Sequence, residues 1–260
     1  MNSNVKKFTV PIFLFTSINA FSQDLPELIT DRPDRTESAT SVPAGLLQIE
    51  TGLEFLNETL NDESELSEIT IVGTLLRYGL IENLELRLAG AFLSQELRTI
   101  SEDSNNEGLS DLMVGAKYEF INAHETIPDL AILFSLFLPV GAEKLTPSDI
   151  EPNAVLSLSK STTNYLDIGC NIGIHYNSSD QKPLYFYTLA AGFGITEEFG
   201  AFAEIFSEIL SNSSPFYSIN AGFTYLLLNN LQLDISGGNG FFNSLEVWYF
   251  GAGFSIRIPR

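Results

Sequence analysis

The sequence has a single cysteine, Cys170, in 260 residues, which excludes an internal disulfide framework and any cysteine-rich metal site. Basic residues are scarce as well: 13 Lys and Arg stand against 33 Asp and Glu, a net charge of −20. Nucleic acid is therefore excluded as a partner, because phosphate binding needs a basic surface. Charge of either sign is low, 18% against roughly a quarter in average soluble domains, while apolar types reach 44%. A disordered chain of this charge would lack that apolar content. Past the first two dozen residues no apolar run suits a membrane helix, since the longest, Leu130 to Leu138, stops at Pro139 and a helical span needs roughly 20 residues. What the chain has in quantity is aromatic and small: 20 Phe, 9 Tyr and 19 Gly.

The start of the chain supplies a compartment. Lys6 and Lys7 precede the apolar run Phe8 to Ile18, and Ala20 and Ser22 stand three and one residues before Gln23. A basic region, a short apolar region and small residues at a cleavage point form a secretory signal, so residues 1–22 are expected to be removed. The run is too short for a membrane anchor. Removal takes two lysines and no acid, leaving 11 basic against 33 acidic groups.

The rest of the chain alternates with period two. Leu166, Ile168, Cys170, Ile172, Ile174 and Tyr176 form one face of a segment whose other face is Asp167, Gly169, Asn171, Gly173 and His175. Leu112 to Phe120 and Trp248 to Ile258 repeat the pattern. Twelve such segments can be marked, centred near Glu50, Gly73, Arg87, Gly115, Phe134, Ser157, Asn171, Ala190, Ala203, Gly222, Leu233 and Gly253. The strands reach about ten residues, the length of a tilted membrane strand rather than of a globular one. The links alternate too. Tight ones at 81–83, 162–164, 196–198 and 229–230, with a slightly longer one at 122–127, are interleaved with longer links at 57–67, 98–108, 141–151, 177–183, 211–215 and 237–244.

An even strand count, short turns on one side and long loops on the other predict an all-β fold: a twelve-stranded antiparallel up-and-down transmembrane β-barrel over residues 45–260, in the outer membrane. The competing soluble β-sandwich would have to bury many long apolar faces in a small core. Residues 23–44 do not alternate, and Pro33 and Pro43 keep them from being a regular strand. They are expected either in the periplasm or in the lumen, where Asp31, Arg32, Asp34, Arg35 and Glu37 are candidates for a plug. A lumen of twelve strands has room for one.

Lipid outside forces polar residues inward. The expected lumen-lining set is Gln48, Glu50, Glu54, Arg77, Glu85, Arg87, Asp111, Lys117, Glu119, Asp167, His175, Glu204, Asp234 and Arg257, serving as a solute path or as ion pairs bracing the wall.

Thr30-Asp31-Arg32-Pro33-Asp34, Thr36-Glu37-Ser38, Val42-Pro43-Ala44-Gly45 and Gln48-Ile49-Glu50 closely resemble the opening of the meta-pathway phenol-degradation family of outer-membrane proteins. Leu75 to Leu80, Leu84 to Arg87, Gly108 to Asp111, Gly115 to Tyr118 and Leu138 to Gly141 resemble its later blocks, in order, so that the likeness covers roughly residues 28 to 258. The resemblance implies an outer-membrane β-barrel and passage of small hydrophobic or aromatic compounds.

Enzymatic readings carry less. His124 and His175 are the two histidines, and no signature flanks a nucleophile. The carboxylates lack calcium-loop spacing, and Gly237-Gly238-Asn239-Gly240 lacks the lysine of a phosphate loop. No cofactor and no metal are expected. Glu58, Asp62, Glu63 and Glu65, then Glu102, Asp103 and Glu107, are expected to form acidic rims on external loops.

The expectation is a monomeric passive channel or uptake protein for small solutes, apolar ones among them, in contact with outer-membrane lipid and lipopolysaccharide. The alternative is a closed barrel with a structural or surface-interaction role, its lumen plugged by the N-terminal segment.

Overall fold

The computed structural model describes residues 26–61, 64–100, 103–122, 127–242 and 245–259. The expected leader at 1–22, His124, and the rim residues Asp62, Glu63 and Glu102 lie outside them. Thirteen strands follow one another without a helix among the described residues: β1 (Leu47–Asn61), β2 (Ser64–Ile81), β3 (Leu84–Thr99), β4 (Asp103–Leu109), β5 (Leu112–Ile121), β6 (Asp129–Leu138), β7 (Glu151–Thr163), β8 (Leu166–Asn177), β9 (Lys182–Gly194), β10 (Phe199–Leu210), β11 (Phe216–Leu228), β12 (Leu231–Phe242) and β13 (Leu245–Ile258). Successive strands pair antiparallel except β4 and β5, which both pair with β3, and β1 pairs with β13, so the sheet closes on itself.

The barrel has twelve staves because β4 and β5 share one. β3 pairs with β5 over Leu84–Ala89 and with β4 over Phe92–Arg98. Between the two, Ser110 is stitched to β3 at Ala91 by its amide and its hydroxyl. All twelve expected segments are strands of the wall. The tight turns at 81–83, 162–164, 196–198 and 229–230 all fall between strands at one end of the barrel.

Alternation builds the wall in two layers. On β3, Leu86, Leu88 and Phe92 are exposed to the outside, while Glu85 and Arg87 between them are buried. The same holds on β10, with Ala203 and Ile205 outside and Phe202, Glu204 and Phe206 inside. An outward face of exposed apolar side chains with polar groups buried inside is the polarity of a wall that lipid surrounds. Tyr78, Tyr118, Tyr165 and Tyr225 lie exposed toward the tight-turn end, and Tyr176, Tyr185, Tyr187 and Trp248 toward the other, two aromatic belts bracketing the apolar band.

The links at 57–67 and 98–108 differ from expectation. Strands β1 and β2 continue through most of the first, and β4 occupies most of the second. The link at 237–244 is likewise strand through Phe242. Spanning the apolar band takes about 9–11 tilted residues, so β2 with 18 runs well past it and β6 with 10 does not. In the projecting part the outward residues turn polar: Asn57, Glu65, Ser67, Glu96, Arg98, Asn105 and Glu107. Without lipid outside, nothing requires an apolar outward face, and a polar strand reads in sequence as a loop.

Candidate functional site

The lumen is built around residues 26–46, which cross it in an irregular path before β1 begins. Irregular backbone exposes N–H groups that must be satisfied once buried. Here the wall supplies the acceptors, and they are mostly carboxylates. The Asp31 amide donates to both oxygens of Glu50 on β1 (3.0 and 3.2 Å), and the Arg35 amide to both oxygens of Glu204 on β10 (3.1 Å each). The Ser41 amide donates to Glu119 on β5 (3.0 Å) and the Val42 amide to Glu85 on β3 (2.9 Å). Between these, the Glu37 amide donates to Asn171 Oδ1 (2.7 Å) and the Ala39 amide to Ser159 Oγ (2.9 Å). Hydrogen bonds to ionised acceptors are roughly twice as strong as neutral ones, so the segment is held by its main chain at several points around the barrel.

Side chains complete a buried ion network. Arg77, with no exposed surface, donates Nε to Glu85 Oε1 (2.9 Å) and Nη1 to Glu50 Oε1 (2.9 Å), and its Nη1 lies 3.1 Å from Asp31 Oδ2. Asp31 also accepts from Arg87 Nη1 (2.9 Å) and Lys117 Nζ (3.0 Å). Arg87 reaches Glu37 at 2.7 Å. Buried charges require such pairing, because each stranded ion costs several kcal/mol (about 3–5 when a partner is removed). Desolvation pushes the Asp31 carboxyl up, but Arg77, Lys117 and Arg87 together outweigh it and hold it well below the ordinary range. Glu37 goes the other way: burial, aided by the Asp31 charge and opposed by Arg87, pushes it up to about 7.

Two further arginines tie the middle of the crossing to the wall. Arg32 Nη2 donates to Asp234 Oδ1 on β12 (2.8 Å), and its guanidinium lies over Gly52 and Gly253, a register pair where a Cβ would collide with it. Arg35 lies over the rings of Phe206 (4.6 Å) and Tyr249 (5.7 Å) and is 3.8 Å from Glu208. At the tight-turn end Arg257 donates to the carbonyls of Pro26 and Glu27.

The structure thus brings Gln48, Glu50, Arg77, Glu85, Arg87, Lys117, Glu119, Glu204, Asp234 and Arg257 against the segment that carries Asp31, Arg32, Asp34, Arg35 and Glu37. Four residues of the expected lumen set stand apart. Asp167 is exposed at the tight-turn end, and Glu54 and Asp111 are half-buried beyond the crossing, toward the far end. His175 pairs with Glu151 through Nε2 (2.8 Å), and Ser178 donates its amide and hydroxyl to the same carboxylate. Serine and histidine therefore meet on Glu151 rather than on each other. Of the expected acidic rims, Glu65, Asp103 and Glu107 lie on strands, pointing outward, and Glu58 points inward.

Sequence reasoning missed Asn171, Ser157, Ser159 and Thr188 as contacts of the segment. Their signal was position: each is a neutral polar residue on the inward face, overlooked in favour of charges.

The segment leaves space on both sides. Toward the tight-turn end lies a cavity of 690 Å³, walled by Asn83, Asn122, Ser161, Asp167 and the edge of the segment. Toward the other end lies one of 340 Å³ with Phe137, His175, Phe186 and Phe206 in its wall, and another of 340 Å³ beside Arg32, Glu54 and Asp111. Among the described residues no group of three or more His, Cys, Asp or Glu side chains is placed to hold a metal.

None of the curated proteins compared matches the chain. Solved structures do match, by shape. An outer membrane channel from Pseudomonas putida F1 superposes with a TM-score of 0.64 at 10% identity, covering 84% of this chain and 97% of that one. The translocator domain of the autotransporter NalP from Neisseria meningitidis gives 0.61 at 11% identity, covering 81% and 88%. The CymD monoaromatic hydrocarbon channel gives 0.51 at 10% identity, covering 83% and 88%. These likenesses identify the fold as an outer-membrane β-barrel. A family model matches residues 30–258, from within the lumenal segment to the last strand, and the chain belongs to that family, described as "Putative MetA-pathway of phenol degradation".

Proposed function

We propose that the protein is a passive, non-enzymatic uptake channel of the outer membrane for small hydrophobic or aromatic solutes, which pass the lumen beside the N-terminal segment. The observation that carries this reading is the hollow lumen on either side of that segment, 690 Å³ on one side and, on the other, 340 Å³ with Phe137, Phe186 and Phe206 in its wall. A barrel serving only as a structural wall has no need of such space. Membership of a family described by phenol degradation supports the solute class, as does the likeness to a monoaromatic hydrocarbon channel. Once a leader of 22 residues is removed, residues 23–44 are left ahead of the barrel, and the described part of them, 26–44, acts as a constriction. The outward apolar band contacts outer-membrane lipid and lipopolysaccharide, and a single barrel suffices for transport.

The test is uptake of a radiolabelled monoaromatic compound by cells with intact lipopolysaccharide, with and without the protein. Uptake should rise with the amount of assembled barrel. Equal uptake with and without assembled protein would favour the closed, structural barrel.

A further inference from the structure

The cavities on the two sides of the segment are separate spaces that share one lining residue. The 690 Å³ cavity is bounded by strand ends and turns of the tight-turn side, and the 340 Å³ cavity by Phe137, Asn153, His175, Phe186 and Glu208 of the other. Asp34 alone lines both. Its carboxylate differs from those around it. Asp31 and Glu37 are tied to Arg87 and Lys117, and Glu204 accepts the Arg35 amide and the Thr36 hydroxyl. Among the described residues no cation pairs with Asp34. Arg35 next to it turns to Phe206 and Glu208, Arg32 is held by Asp234, and Arg77, Arg87 and Lys117 are engaged by Asp31, Glu50, Glu85 and Glu37.

We infer that Asp34 is the selectivity-determining residue at the constriction, so that the route beside the segment admits neutral and cationic solutes and turns back anions. The inference rests on the channel reading above. When ionised, a carboxylate without a cation partner acts at close range in a poorly solvated site and is weakly screened by salt, whereas charges at wide mouths are screened within about 8 Å. The groups facing Asp34 are Glu204 from β10 and Asp31 and Glu37 from the segment itself. Desolvation first, then Glu204, hold its carboxyl well above the ordinary range. The charge at the constriction is therefore titratable and is largest at alkaline pH.

The experiment is the reversal potential of the full-length protein in planar bilayers under a KCl gradient at pH 8.5. The wild type should prefer potassium over chloride. Asp34→Asn should lower that preference by roughly fivefold, and Asp34→Lys should invert it. Glu197→Gln, on the exposed β9–β10 turn, should change it by less than about twofold. Lowering the pH to 5.5 should reduce the preference in the wild type more than in Asp34→Asn. Heat-modifiable migration on gels confirms that each variant is folded, and Asp34→Ser replaces Asp34→Asn if the latter is not. A conducting protein whose selectivity is the same with and without the Asp34 carboxylate overturns the inference and leaves the channel reading standing. Absence of current in wild type and variants alike overturns both.

Discussion

Two bands of the same wall use opposite rules. In the membrane band the outward residues are apolar, such as Ile205 and Leu86, and the inward ones are Arg77, Glu85, Arg87 and Glu204, satisfied by a segment of chain laid across the lumen. In the part of β1 to β4 that projects beyond it, the outward face carries Glu65, Ser67, Glu96, Arg98 and Glu107, and the inward face carries Leu56, Leu66, Leu93 and Leu97 beside Glu54, Glu58 and Glu68. The backbone is the same ladder in both. Only the solvent outside differs, and it decides which face each residue type takes.

The same comparison ranks what substitutions should do. The largest effect is expected inside the membrane band, at Arg77→Leu, which strands Asp31, Glu50 and Glu85 without their shared cation. Breaking a buried pair costs about 3–5 kcal/mol, so urea unfolding in detergent should shift strongly and the lumenal segment should become open to protease. Next is Ile205→Arg, at the middle of β10 and half exposed to lipid. A charge at the bilayer midplane costs about 2–4 kcal/mol, and the yield of folded barrel in the membrane should fall. Ser67→Arg, also outward but on the projection, should leave that yield unchanged.

A smaller effect concerns pH. Glu37 titrates near 7 when docked and has an ordinary value of 4.5. Its raised value means that the docked segment holds the proton more tightly than the free one. Docking is thus fully supported below about 4.5 and loses that support as pH rises through about 7. Asp34, also raised, acts in the same direction. Protease cleavage of the segment should be faster at pH 8.5 than at pH 5.5 relative to Glu37→Gln, in which the difference should shrink. The smallest effect is expected at Arg98→Leu. Arg98 pairs with Glu96 at 2.9 Å on the projecting outward face, where exposed ion pairs add little, and unfolding should be unchanged.

The parts legible in the sequence were those that lipid enforces. Period-two alternation over Leu166 to Tyr176 or Trp248 to Ile258 follows from one face meeting hydrocarbon, and it located every stave of the membrane band. β4 was not legible, because Asp103-Ser104-Asn105-Asn106-Glu107 has no apolar face to betray a strand. The inward charges were legible as a class, since alternation left them no other direction. Their partners were not: Glu50 receives an amide 19 residues away and Glu204 one 169 residues away, and no local pattern encodes such distances. Gly52 and Gly253 likewise read as neutral spacing, although the space each leaves is occupied by Arg32.

The contrast between the bands is tested most directly by spin-label accessibility in outer-membrane lipid, with single labels replacing Ile205 and Arg98 in a Cys170→Ser background. Both side chains point outward. The label at 205 should be relaxed by oxygen dissolved in lipid and protected from a water-soluble nickel chelate, while the label at 98 should show the reverse. Lipid-like accessibility at both positions would contradict the account, because the projecting strands would then lie within the membrane and their outward charges would have no explanation.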